Sequence, residues 1–155
     1  MFKSIQVLAL GTTGTQDITI PGFGTPKAAV FFSSIDTVDD TVSDGLSYSH
    51  GFTDGTNQAV VAISSSNNST PTDTARLSRV DAVMVEVGGN QSVNSIAEFD
   101  SWITDGVRIN VTQASSVDRL ITVVLIGGSD VLNASAQRVG LSSTVTSVNI
   151  GFNPT

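Results

Sequence analysis

Apolar and polar residues alternate with a period of two through most of this chain, and no stretch sustains a helical face. Ile5, Val7 and Ala9 alternate with Ser4, Gln6 and Leu8, which predicts an N-terminal strand over Lys3–Leu10. Ile18 and Ile20 point inward beside Asp17 and Thr19; Pro21-Gly22 then turns the chain, and Phe23 anchors the corner before Pro26. Ala28–Phe32 and Leu120–Ile126 are apolar on both faces, as central strands are. Val107, Ile109 and Val111 oppose Arg108 and Asn110, while Val83, Val85 and Val87 oppose Met84 and Glu86. Weaker strand patterns cover Leu46–Phe52, Gln58–Ser64, Asp130–Ala136 and Thr144–Phe152. Ser92–Trp102 fits either a helical turn or a strand that carries Phe99 and Trp102 into the core.

About ten short strands punctuated by glycine turns predict an all-β protein: an antiparallel two-sheet β-sandwich, jelly-roll-like. The 155 residues suit a single domain, 1–155. Thr146–Pro154 echoes Gln16–Pro26, which reads either as pseudo-symmetric strands or as the start of a second repeat after about residue 143. Two long polar loops, Ser33–Gly45 and Ser64–Thr74, are expected to be interaction surfaces at one end or edge of the sandwich.

Composition narrows the function classes. Charged residues make up only 14% of the chain, against about 25% in ordinary soluble proteins, so Ser, Thr, Asn and Gly must cover its outer faces. The net charge of −7, with basic residues scattered singly, argues against nucleic acid. No apolar run approaches the ~20 residues that span a bilayer, and the N-terminal run is too short for a signal peptide. The chain has no cysteine, so cohesion must come from the core or from oligomerisation.

Catalytic equipment is sparse, and no catalytic, cofactor-binding or metal-binding residue is assigned. Asp36, Asp39, Asp40 and Asp44 could offer oxygens to Ca²⁺, but their spacing lacks the pattern of a calcium loop, and a solvated acidic loop is the simpler reading. Glu98, Asp100 and Asp105 form the one other carboxylate group that invites acid/base chemistry, although aspartates in turns are ordinary. His50 is the single histidine, too little for a zinc site. Tyr48 and Trp102 could stack on a sugar ring, or serve as core or interface anchors.

Three local patterns carry a family resemblance. Gly22-Phe23-Gly24-Thr25-Pro26-Lys27-Ala28-Ala29-Val30 forms a corner, and Gly51-Phe52-Thr53-Asp54-Gly55 forms a turn. Asp105-Gly106-Val107-Arg108-Ile109-Asn110-Val111 then precedes the apolar strand Leu120–Ile126, closed by Gly127-Gly128. In this order they resemble a group of tailed-bacteriophage virion β-sandwich proteins, over roughly residues 15–128. The strand order is also similar to the H-type lectin sandwich, where an Asn-Val-Thr-like strand precedes an apolar one, as at Asn110-Val111-Thr112.

The resemblance implies a structural component on the outer surface of a virion and not an enzyme. The first expectation is a capsid decoration (cement) protein, a homotrimer bridging major capsid subunits. The alternative is a tail-fibre or receptor-binding module that recognises host glycans through the two polar loops, with Tyr48 or Trp102 stacking. Neither nucleic acid nor membrane is an expected partner. The terminal strands Lys3–Leu10 and Thr144–Phe152 are expected to add to a neighbour's sheet edge, and removal of Met1–Leu10 to leave the sandwich folded.

Overall fold

Period-two alternation resolves into strands throughout. The computed structural model describes residues 1–67, 70, 73–129 and 131–137. In chain order its strands are β1 (Phe2–Ala9), β2 (Gly14–Thr19), β3 (Pro26–Ser34), β4 (Leu46–Thr53) and β5 (Gln58–Ser65). They continue with β6 (Thr74–Arg79), β7 (Met84–Val87), β8 (Val93–Ile103), β9 (Gly106–Gln113) and β10 (Arg119–Gly127). All pair antiparallel, in a six-stranded sheet of order β1-β10-β3-β4-β5-β6 and a four-stranded sheet of order β2-β9-β8-β7. The expected all-β two-sheet architecture is therefore present.

The main core lies between the sheets. Ala29 and Phe31 of β3 and Ile121, Val123 and Leu125 of β10 face Val107, Ile109 and Val111 of β9, joined by Met84 and Ala97. Each large side chain buried here contributes about 1.5–3 kcal/mol. A smaller cluster continues the core toward the far edge, where Val60, Ala62 and Ala75 meet Ala82, Val85 and Val87. Between the two clusters β4 runs so close to the chain entering β7 that a methyl group on Gly51 would collide with the backbone carbonyl of Val83.

Ala28–Phe32 and Leu120–Ile126 do sit in the middle of the larger sheet, hydrogen-bonded to each other. Phe23 is buried at its corner, as expected. From Val93 on, the Ser92–Trp102 segment is strand, not a helical turn. Register shifts at Ile96/Ala97 and Phe99/Ser101 interrupt its alternation and give it a mixed pattern. Strand β6 emerges where the polar Ser64–Thr74 loop ends.

Two expectations change. Residues 131–136, the part of Asp130–Ala136 that is described, form no strand; Asn133, Ala134, Ser135 and Ala136 offer little side chain to pack on a pleat. The N-terminal strand is at a sheet edge, but it is no dispensable arm. It pairs with β10 from Phe2↔Ile126 to Ala9↔Arg119, and Leu10 beyond it is fully buried. Thr144–Phe152 and the echo at Thr146–Pro154 lie outside the described residues.

Candidate interaction surface

Strand β4 is inverted. Its inward positions are Ser47, Ser49, Gly51 and Thr53, all buried, and its outward positions are Leu46, Tyr48, His50 and Phe52. The close approach of β7 explains the inner half, because only small side chains fit there. Each inner hydroxyl is satisfied: Ser49 and Ser33 share a 2.7 Å hydrogen bond. Ser47 donates to the Val87 carbonyl at 3.1 Å, and Thr53 donates to that of Asn57 at 2.9 Å. The outer half has no such cause within the sandwich.

Neighbouring strands extend this outer face. Register places Tyr48 opposite Ile63 and His50 opposite both Val61 and Phe32. Phe52 pairs with Val30, which in turn pairs with Val124. Phe2 and Leu8 lie at the β1 edge of the same face. The Phe32 and His50 rings stack with centroids 4.8 Å apart. Leu8 is 55%, Val61 56% and Ile63 46% exposed. Between the strand ends, the outward positions carry one charged side chain, Arg76. The outer face of the four-stranded sheet is the opposite kind of surface, with Asp17 and Arg108 paired at 2.6 Å beside Asn110 and Glu98.

Part of the apolar face is covered by residues 131–137. Val131 donates its backbone N–H to the Gly128 carbonyl at 3.1 Å, turning the chain back. Lys27 then donates to the Leu132 carbonyl at 2.6 Å, and the Ala136 N–H donates to Asp54 Oδ2 at 2.8 Å. Ser135, Ala136 and Gln137 roof a cavity of about 430 Å³ over Ala28, Val30, His50, Phe52 and Ile126. Asp54 also caps the β4–β5 turn by accepting from the Thr56 and Asn57 N–H groups at 2.8 and 2.7 Å. Burial works to raise its pKa, but these backbone donors outweigh it and hold the carboxyl below its usual 3.8.

At one end of the sandwich the two polar loops meet. Ile35, Asp44 and Gly45 from one, and Ser65, Ser66 and Asn67 from the other, surround a cavity of about 210 Å³ together with Gly88 and Gly89. The buried carboxylate of Glu86 contributes to its wall. Glu86 is paired with Arg119 at 2.8 Å, their side chains only 5% and 13% exposed. Arg119 also donates to the Ile35 carbonyl at 3.0 Å, and Asn94 donates to Glu86 at 3.3 Å. Burial pushes the Glu86 pKa up, and the Arg119 and Asn94 hydrogen bonds more than reverse that, leaving it lowered.

The residues weighed for chemistry fall apart in space or into structural roles. Asp105 is taken up by the Gly22 and Gly24 N–H groups, at 3.0 and 2.7 Å. Asp100 sits at the β8 bulge and accepts from Ser101 at 2.9 Å, while Glu98 pairs across to Asn110 in the regular ladder. Among the described residues, Asp36, Asp39, Asp40 and Asp44 join no group of three or more carboxylate or imidazole side chains placed to hold a metal ion. His50 and Tyr48 belong to the apolar face, and Trp102 packs at 4.7 Å on Phe99 beside Gly55, away from both loops. The sequence reading missed Glu86 and Arg119 as a pair and the outer face as a surface. Strands apolar on both sides, β3 and β10, were its available signal. Compared with known proteins, the chain matches no family model, no curated protein and no solved structure.

Proposed function

We propose that this chain is a structural virion protein of a tailed bacteriophage, a capsid decoration protein that stabilises the head by bridging major capsid subunits as a closed homo-oligomer. The reading starts from the sequence resemblance. The observation that supports it is the inverted strand β4, which turns Tyr48, His50 and Phe52 outward onto an almost uncharged face. Such a face suits a mechanical role, in which apolar area buried between copies of the chain holds together a rigid assembly that spans a joint. The test compares particles with and without the protein under heating and osmotic shock. Earlier genome release without it is expected, with hundreds of copies per particle; equal release, or only a few copies, overturns the reading.

A second reading, a tail-fibre or receptor-binding module for host glycans, draws on the loop cavity. Ser65, Ser66, Asn67, Asn94 and Asp44 present the hydroxyl, amide and carboxylate groups that hydrogen-bond sugar hydroxyls. Tyr48 and Trp102 are not at that cavity, so a sugar there would be held without aromatic stacking. Binding on a glycan array that disappears in Asn67→Ala would favour this reading over decoration.

A further inference from the structure

We infer that the outer face of the six-stranded sheet is where copies of this chain pack against one another. A sheet apolar on one face belongs at the surface of a domain, and a sheet apolar on both belongs between layers. The six-stranded sheet is of the second kind, yet only one of its faces meets the four-stranded sheet. Residues 131–137 roof Ala28, Val30 and Phe52 but leave Tyr48, Val61, Ile63 and Leu8 exposed.

Charge selects the occupant. The chain carries −7, so two copies repel each other over most of their surface. Among the described residues, no acidic side chain occupies an outward strand position of this face. Two such faces meet without bringing like carboxylates together, and Arg76 lies on the outermost strand, at the rim. Stacking them places both polar four-stranded sheets outside, which covers every apolar sheet surface at once. Contact through the face also differs from strand addition at the β1 or β6 edge, because it uses side chains and leaves backbone donors free.

The full-length protein, purified without any particle, tests this by sedimentation equilibrium across micromolar concentrations. The wild type is expected to form an oligomer of two or more copies. Val61→Glu and Ile63→Lys, both at exposed positions that tolerate polarity within one copy, are expected to weaken self-association at least about tenfold by burying charge. Thr15→Glu, on the opposite sheet, is expected to leave it unchanged. Circular dichroism melts verify that each variant is folded. A wild-type monomer overturns the inference, and so does an oligomer that survives both face substitutions. A monomer with Val61 shielded from solvent overturns it in favour of cover by residues 138–155 of the same chain. Because no capsid enters the experiment, its failure is distinct from a failure of the particle reading.

Discussion

Asp105 accepts a hydrogen bond from the backbone N–H of Gly24 at 2.7 Å, across 81 residues of sequence. Its second oxygen takes the Gly22 N–H at 3.0 Å, and its own N–H donates to the Gly24 carbonyl at 3.0 Å. The corner that leads into β3 is thus clasped by the turn between β8 and β9. Gly22 and Gly24 have φ of 73° and 81°, a left-handed backbone that glycine adopts without strain. The corner and Asp-Gly patterns that are separate in sequence form one latch in space.

Asp105→Asn keeps the size of the side chain but replaces one acceptor oxygen with a donor that faces a backbone N–H. The variant is expected to melt at a lower temperature than the wild type at neutral pH. The hydrogen bonds from Gly24 and Gly22 hold the Asp105 pKa below 3.8 in the folded state. Their stabilisation is therefore present above that value and is lost as pH falls through the lower folded pKa. Melting curves of the two proteins should converge in that acidic range; a constant gap down to pH 2 would contradict the latch.

Glu86 and Arg119 make a sharper case, because Glu86 is buried and Arg119 largely shielded. Leaving one charge without the other costs about 3–5 kcal/mol, so Arg119→Leu should strongly destabilise the sandwich in urea unfolding. Glu86→Leu combined with Arg119→Leu should recover much of that loss, since a matched apolar pair avoids desolvating either ion. A double variant no more stable than the single one would show that Arg119 acts mainly through the Ile35 carbonyl.

Gly51→Ala tests the cause assigned to the inverted strand. The added methyl meets the Val83 carbonyl, which is backbone and cannot swing aside. A loss of about 1–3 kcal/mol is expected in equilibrium unfolding, typical of overpacking. Substitution of Ser47 by Val should also destabilise, because it removes the bond to the buried Val87 carbonyl. A neutral Gly51→Ala would mean that β7 yields easily, and then the small inner residues of β4 would need another explanation.

The strands were legible wherever alternation was strong and unbroken. β9 shows this, with Val107, Ile109 and Val111 inside as their spacing required. β8 was ambiguous because two register shifts break its period, and β6 was hidden because Ala75 is a weak apolar signal beside a polar loop. Surfaces were far less legible. The outer face depends on the register of six strands, which local patterns do not encode. The double-sided apolarity of β3 and β10 was visible, but it was equally compatible with a sheet covered on both sides within one chain. Alternation places Glu86 opposite Val83, Val85 and Val87, and nothing local points to its partner Arg119, 33 positions away.

Asp54 links the covered and uncovered parts of that face. Its Oδ1 caps the β4–β5 turn, while its Oδ2 holds the Ala136 N–H. Asp54→Asn can keep the first role through its carbonyl oxygen but presents an N–H₂ group to Ala136. The Ala136 amide should then lose hydrogen-exchange protection while those of Thr56 and Asn57 keep theirs, with a change in global stability of about 1 kcal/mol. The same bond should weaken in the wild type as pH drops through the lowered pKa of Asp54, since the charged carboxylate is the stronger acceptor. Uncovering Ala28, Val30 and Phe52 enlarges the apolar area open to a neighbouring copy. Asp54→Asn is accordingly expected to strengthen self-association, the reverse of Val61→Glu. If Asp54→Asn instead abolishes it, residues 131–137 are themselves part of the contact.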